Sequence, residues 1–487
     1  MSSPAIVRLA SLKNVDSFQE HLRALGLTIP VDHEIERGAD SPLRKPLSCG
    51  RLKLRNRIAV QPMEGWDGTS DGNPSDLTFR RWQRFAHSGA GLIWGGEAVA
   101  VSHEGRANPN QLVIAEHTEK NLGQLRGLLI DEYRMLGMAE PVIGLQLTHS
   151  GRFCRPNAHH RPEPRILYHH PILDRRLGLD AGYPVLTDSH IQKIVEDFHR
   201  AAAMAWKLGF DFVDIKHCHG YLAHEFLSAH TRPGRYGGSL ENRTRFLREV
   251  VEGAQSVAPG LEIGVRLSAF DTVPFRPDPG NSVEGKPGVG IPESSEGLLP
   301  YRWGFGMSGE NLTQMDLTET FSFMSLLEQL DIQLVNLTAG SPYYNPHVQR
   351  PALFPPSDGY QPPEDPLAGV ARQMEMVRRV KREFPKLIFM GSAYSYLQEF
   401  LPAVAQAAIR EGWVDIVGLG RMVLTYPEIL WDASEGRGLQ RKRICRTFSD
   451  CTTAPRLGLP SGCYPLDEHY KNSALGERLE IAKAKKV

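Results

Sequence analysis

Polar side chains suited to one shared chemistry recur where short apolar runs end. Glu64 follows the run Arg57–Gln61, Glu97-Ala98 follows Gly91–Gly95, and Gln146 closes Pro141–Gln146 with His149 just beyond. Lys216-His217-Cys218-His219 ends a fourth run, Arg266 lies in a fifth, and Gly391-Ser392 and Gly418-Leu419-Gly420-Arg421 end two more. Glycine turns beside an arginine suit a phosphate, because backbone N–H groups can aim at the anion while a guanidinium grips two of its oxygens. The same glycines can instead serve only to turn the chain, with Arg421 paired to a helix carboxylate. Gln146 and Arg266 can bind the polar edge of a ligand or simply hydrogen-bond a rim. His217 and His219, two apart at a strand end, would face the same side and could hold a catalytic zinc, so a metal-dependent hydrolase is a second candidate, although no third ligand stands out on another strand. A ligand-binding protein without redox chemistry is a third.

These side chains meet only if the runs lie side by side. The runs Arg57–Gln61, Gly91–Gly95, Pro141–Gln146, Asp211–Lys216, Glu262–Leu267, Ile332–Leu337, Lys386–Met390 and Val414–Val417 read as eight strands. Amphipathic stretches such as Leu77–Ser88, His190–Leu208, Glu241–Ser256, Met374–Glu383 and Leu397–Glu411 lie between them, with the spacing of crossovers between parallel strands. The prediction is a single α/β domain, a (β/α)8 TIM barrel whose strand ends share one mouth. A doubly wound sheet would place a Gly-rich phosphate turn after its first strand, where Gln61-Pro62-Met63-Glu64 stands instead.

Around the barrel, taken as residues 51–435, residues 1–50 are expected to form an N-terminal helical cap and linker, and 436–487 a tail carrying Cys445, Cys451 and Cys463. A Gly-, Pro- and Ser-rich insertion at about 272–310 reads as a long loop after the fifth strand, on the face where barrels do their chemistry. Across 487 residues, 56 Lys+Arg balance 56 Asp+Glu, which leaves no basic face for nucleic acid. A mean hydropathy of −0.32 and the lack of a long apolar run argue against a membrane protein. The start shows no secretory pattern, so the cytoplasm is the expected location, and six scattered cysteines read as reduced thiols.

Several segments resemble, in order, the Old Yellow Enzyme family of NAD(P)H:flavin oxidoreductases. They are Ser41-Pro42-Leu43, Leu52–Ile58 through Pro62-Met63, Glu97–Ser102 with Glu104-Gly105-Arg106, Gln146–Arg152, Gly220-Tyr221-Leu222, Tyr236–Arg243 and Val265–Ser268. The likeness spans roughly residues 41–470, and the segment reading YGGSLENR is close to diagnostic. It implies that Pro62, Met63, Glu64, Ala98, Gln146, Arg266, Gly391, Ser392, Gly420 and Arg421 hold FMN, with Gln146 at the pyrimidine edge, Arg266 near N1 and O2, and Arg421 on the phosphate. It further implies NAD(P)H as reductant, a small unsaturated substrate, a homo-oligomer as one assembly, and Tyr221 as proton donor to a developing carbanion, a task suited to a phenol of pKa about 10.

Departures from the family pattern carry their own expectations. Where its members place two substrate-binding His or Asn residues, this chain has Lys216 and His219, which favour an acidic or CoA-like substrate. Glu64 replaces a flavin-tuning Thr or Cys, and its charge would disfavour reduced flavin unless the carboxyl is protonated or paired with Lys216. The tail resembles that of 2,4-dienoyl-CoA reductase-like members, which hold an iron–sulfur cluster on four cysteines. Cys451 and Cys463 keep the last spacing, Ile444 and Thr447 occupy the first two ligand positions, and Cys445 is displaced by one. Both a cluster or zinc with an outside ligand and three unligated thiols are open readings, the latter preferred.

Overall fold

The structure, a computed structural model, describes residues 6–282 and 287–484. Thirteen strands are formed: β1 (Leu47–Cys49), β2 (Leu52–Leu54), β3 (Ile58–Val60), β4 (Leu92–Ile93), β5 (Ala98–Ala100), β6 (Val142–Thr148), β7 (Phe212–Ile215), β8 (Glu262–Ser268), β9 (Phe275–Pro277), β10 (Gly290–Pro292), β11 (Leu334–Thr338), β12 (Ile388–Gly391) and β13 (Ile416–Leu419). Parallel pairing runs β3–β4–β6–β7–β8–β11–β12–β13 and closes from β13 back to β3. This is the expected (β/α)8 barrel. Its strands are buried on both faces, as in all seven residues of β6, because helices cover the outside while side chains fill the inside.

The second barrel strand is broken. Its first piece, β4, pairs with β3 and β6, and after a kink at Gly95-Gly96 the second piece, β5, continues along β6. Both glycines have positive φ (110° and 50°), and a Cβ at Gly95 would lie 2.7 Å from the Gln146 backbone nitrogen. Glycine is required for that approach.

Amphipathic crossover helices include Asp76–Ala86, Glu119–Met135, Asp188–Lys207, Arg245–Val257, Thr318–Gln329, Pro366–Glu383 and Leu401–Arg410. Below the barrel the antiparallel β1–β2 hairpin packs Cys49, Leu52 and Leu54 against Trp94, Phe212 and Met390. That hairpin closes the floor with apolar side chains, so a polar ligand has only the carboxyl-terminal mouth to enter. At the mouth, the segment after β8 folds back as the antiparallel pair β9–β10, and the tail contributes the helix Asp450–Arg456. Arg80 anchors the tail through two 2.9 Å bonds to Asp467. No helix among the described residues is long and apolar enough to cross a membrane.

Candidate active site

The strand ends enclose a cavity of about 560 Å³. Pro62, Met63, Glu64, Lys216, His219, Tyr221, Arg266, Ser392, Gly420 and Arg421 all line it, and so does Cys451. Ala98, Gln146 and Gly391 do not reach its surface. Ala98 is paired in register with Gln146, and the Gln146 amide donates to Asp214 Oδ2 at 2.5 Å. The Gly391 carbonyl accepts from Gln61 Nε2 at 3.1 Å.

A lattice of buried polar groups underlies the cavity. Asp214 on β7 accepts from Trp94 Nε1 (2.7 Å), from Gln146, and from the Arg266 backbone N–H (2.7 Å). Burial pushes its carboxyl pKa up, against the pull of these donors. Gln61 ties β3 to its neighbours: it accepts from Asn336 Nδ2 (2.8 Å) and donates to Ser392 Oγ (3.1 Å), whose hydroxyl donates to the Leu337 carbonyl (2.8 Å). Ser392 therefore faces the cavity with its proton already committed.

One end of the cavity is built for an anion. Arg421 donates through one terminal nitrogen to the Pro351 carbonyl (2.8 Å), and its other terminal nitrogen is buried without a partner. The carboxylate pairing open to Arg421 from sequence is not formed among the described residues. Arg350 lies close by. It bonds the Thr452 hydroxyl, its Nε is buried and unpartnered, and burial together with Arg421 brings its pKa down to about 10. Two desolvated guanidiniums without a carboxylate form an arrangement that a bound anion completes.

At the opposite side the chemistry is acid–base. The Tyr221 hydroxyl lies 2.7 Å from Glu64 Oε2 and 2.7 Å from the Tyr343 hydroxyl, while Asn108 donates to Glu64 Oε1 at 3.1 Å. Lys216 places its ammonium 3.8 Å from the Tyr221 ring centroid. Burial raises the Tyr221 phenol well above its usual range, with Glu64 adding to the shift, and burial lowers Lys216, a fall that Glu64 opposes. Glu64 is thus held by Tyr221 and Asn108 rather than by Lys216.

His219 adopts a left-handed φ of 67°, fixed by its N–H on Ser268 Oγ (3.0 Å) and by the Ser341 hydroxyl on its carbonyl (2.7 Å). Burial, with Arg266 and Lys216 nearby, drives its imidazole well below the usual range, so it is neutral. Of this pair, only Lys216 can supply positive charge, and Arg155 and Arg456 line the cavity as well.

The geometry that a His217 and His219 zinc pair, the second candidate, would need is not found among the described residues. β7 ends at Ile215, and the left-handed turn at His219 breaks the strand alternation that would have aligned the two rings. His217 bonds the Ile215 carbonyl (2.7 Å) and packs on Phe323, and burial lowers its pKa to about 4. Cys445 and Cys463 are buried and Cys451 half-buried, all as free thiols. Among the described residues, no three His, Cys, Asp or Glu side chains are grouped to hold a metal.

Tyr343, Arg350, Asn108 and Asp214 are site residues that the sequence did not single out. Tyr343 and Arg350 follow the sixth barrel strand, the one strand end from which no candidate had been drawn, and that position was the available signal.

The closed barrel carries, at its carboxyl-terminal mouth, a cavity lined by unpartnered guanidinium nitrogens and a buried phenol. Residues 42–278 match the model of the NADH:flavin oxidoreductase / NADH oxidase family. An NADPH dehydrogenase from Clostridium acetobutylicum is 34% identical over 224 residues, which are 45% of this chain and 61% of that protein. The chain thus spans about three fifths of that relative's length. Among solved structures, 2-naphthoyl-CoA reductase in complex with 2-naphthoyl-CoA superposes with a TM-score of 0.62 at 19% identity, covering 88% of this chain and 57% of that one. An old yellow enzyme homologue from Zymomonas mobilis gives 0.54 at 20% identity, covering 82% and 94%. Both share the fold. FMN is the family's cofactor, and the site fits it: the unpartnered Arg421 and Arg350 nitrogens suit its phosphate, and the buried, unpartnered Arg266 Nε suits an electron-rich ring edge.

Proposed function

We propose that the protein is an FMN-dependent ene-reductase, which uses NAD(P)H to reduce an activated C=C bond in a small acidic or strongly polarised substrate. Arg421 and Arg350 would hold the phosphate, and Arg266, Pro62, Met63 and Glu64 would border the ring. When bound, FMN supplies hydride transfer between reductant and substrate. Tyr221 supplies the proton: it lines the cavity, carries a proton over the whole neutral range because burial raises its pKa, and has Lys216 against its ring to steady the phenolate left behind. Lys216 also offers an ammonium at the substrate side, which favours a carboxylate or thioester neighbour to the double bond.

The observation that carries this reading is the convergence of a guanidinium pair and a buried phenol on one cavity closed at its floor. Anaerobic protein loaded with FMN should bleach with NADPH or NADH and regain colour with an α,β-unsaturated acid or thioester. Failure of every such compound to restore colour in protein that NAD(P)H does bleach would refute the ene-reductase assignment.

A further inference from the structure

Most of the cationic side chains around the cavity already have a partner or a role. Arg81 pairs with Asp67 (2.8 Å), Arg176 and Arg276 share Glu293 (2.7 and 3.4 Å), and Arg456 pairs with Asp358. Arg350, Arg421 and Arg266 are the groups assigned above to FMN. Arg155 differs from all of these. It lines the cavity, its Nε is buried without a partner, and among the described residues no carboxylate pairs with its guanidinium. The acids of the neighbouring loops are engaged elsewhere: Glu104 faces Arg165 (3.2 Å), and Glu163 accepts from Asn157 (2.9 and 3.1 Å).

The loop that carries Arg155 is fixed. After β6 the chain makes the turn Gly151–Phe153, the Arg155 N–H donates to the Arg106 carbonyl (2.8 Å), and the Glu163 N–H closes the loop on the Cys154 carbonyl (2.8 Å). Phe153 stacks on Tyr343 with ring centroids 4.0 Å apart. Desolvation of its hydroxyl and the nearby Glu64 raise the Tyr343 phenol, and the guanidiniums of Arg155 and Arg456 pull it back. Arg155 therefore acts on the tyrosine whose hydroxyl lies 2.7 Å from that of Tyr221. Lys216 stands over the other ring of this pair, and the two ring centroids are 5.8 Å apart. A desolvated guanidinium without a counter-charge is costly, and a bound anion offsets that cost.

From this placement, and resting on the ene-reductase reading, we propose that Arg155 determines specificity at a second anion subsite, where it binds a substrate carboxylate separate from the carbonyl that activates the double bond. The substrate class is an unsaturated carbonyl compound with a remote carboxylate, the two groups set apart by about the width of one ring. Trp66, Phe153, Tyr343 and Tyr344 line the same cavity and offer apolar faces to a flat spacer. NADPH brings another anion to this mouth, its 2′-phosphate. That group lies a dinucleotide's length from the ring that gives up hydride, whereas Arg155 acts one tyrosine away from the proton donor.

Two readouts on FMN-loaded protein test the inference. The first is calorimetric titration of the oxidised enzyme with benzoate and with its neutral isostere benzamide. The ratio of the two affinities should fall by roughly tenfold or more in Arg155→Gln, the effect of one charge-assisted contact, and Arg155→Lys, which keeps the charge without the fork, should retain part of it. The second is the reduction of cinnamaldehyde and of the same enal bearing a para carboxylate. In the wild type kcat/KM should favour the carboxylate, and Arg155→Gln should cut that preference by a similar factor, chiefly through KM. Unchanged ratios in Arg155→Gln, or no saturable benzoate binding by the wild type, would overturn the inference. Unchanged ratios together with a lost preference between NADPH and NADH would overturn it in favour of the reductant's phosphate. If benzoate binding depends on Arg155 while neither enal recolours protein that NAD(P)H has bleached, the anion subsite stands and the ene-reductase reading alone fails.

Discussion

Removing the Tyr221 hydroxyl should split the two halves of the proposed reaction. Reduction of bound FMN by NAD(P)H needs no proton from this side chain, whereas reduction of the unsaturated substrate does. Loss of a positioned general acid costs about 10²–10⁴-fold, which at 1.36 kcal/mol per decade is roughly 3–5 kcal/mol of barrier. The structure sets the cost in stability much lower. Tyr221→Phe keeps the ring and its contact with the Lys216 ammonium and removes one hydroxyl with two partners, Glu64 and Tyr343. Tyr343 is 39% exposed, so water can replace the lost oxygen, and the net loss should be about 1 kcal/mol. Stopped-flow absorbance under anaerobic conditions reads the two half-reactions separately. The expected result is near-normal bleaching by NAD(P)H, recolouring by substrate slowed at least a hundredfold, and FMN content close to wild type. Equal slowing of both phases would make Tyr221 structural, and no slowing of either would assign the proton to another donor.

Other outcomes follow from neighbouring contacts. Lys216→Ala should raise KM for an anionic substrate more than for a neutral enone, and in the wild type that advantage should fade as pH rises through the Lys216 pKa, which burial has lowered, because the ammonium is then lost. Steady-state kinetics over pH with the paired substrates check this. Arg350→Ala should weaken FMN by roughly ten- to a hundredfold, the effect of one charge-assisted contact of about 1.5–3 kcal/mol, measured by calorimetric titration. Asp214→Asn should lower the urea midpoint, because Trp94, Gln146 and the Arg266 N–H converge on both carboxylate oxygens and the amide cannot accept through both; about 1–3 kcal/mol is expected.

Much of this architecture was legible before any coordinates, for physical reasons that differ by element. The barrel strands announce themselves because strands buried on both faces must be short, continuous apolar runs, and the polar residue ending each run marks the mouth. The β1–β2 hairpin was hidden because its strands are three residues each, too short for alternation to show. The break between β4 and β5 was hidden as well, since Gly95-Gly96 reads equally as the end of a strand and as a kink within one. The alternative of a His217/His219 zinc pair extends strand alternation past Ile215, where a left-handed turn at His219 takes over. Tyr343 and Arg350 lie more than a hundred residues from Glu64 and Tyr221 in loops with no periodicity, so only the closed barrel brings them to the cavity. Asp214 sits inside an apolar run as one buried acid, and nothing local announces that three donors will meet it.

The most direct measurement is a fluorescence titration of flavin-free protein with FMN, run on the wild type and on Arg421→Ala. Saturable quenching with one FMN per chain, and affinity at least tenfold weaker in Arg421→Ala, is the expected result: it would place the phosphate between the guanidiniums of Arg350 and Arg421, which follow the sixth and eighth barrel strands. No saturable binding to folded wild-type protein, or binding that Arg421→Ala leaves unchanged, would contradict a flavin held in this mouth.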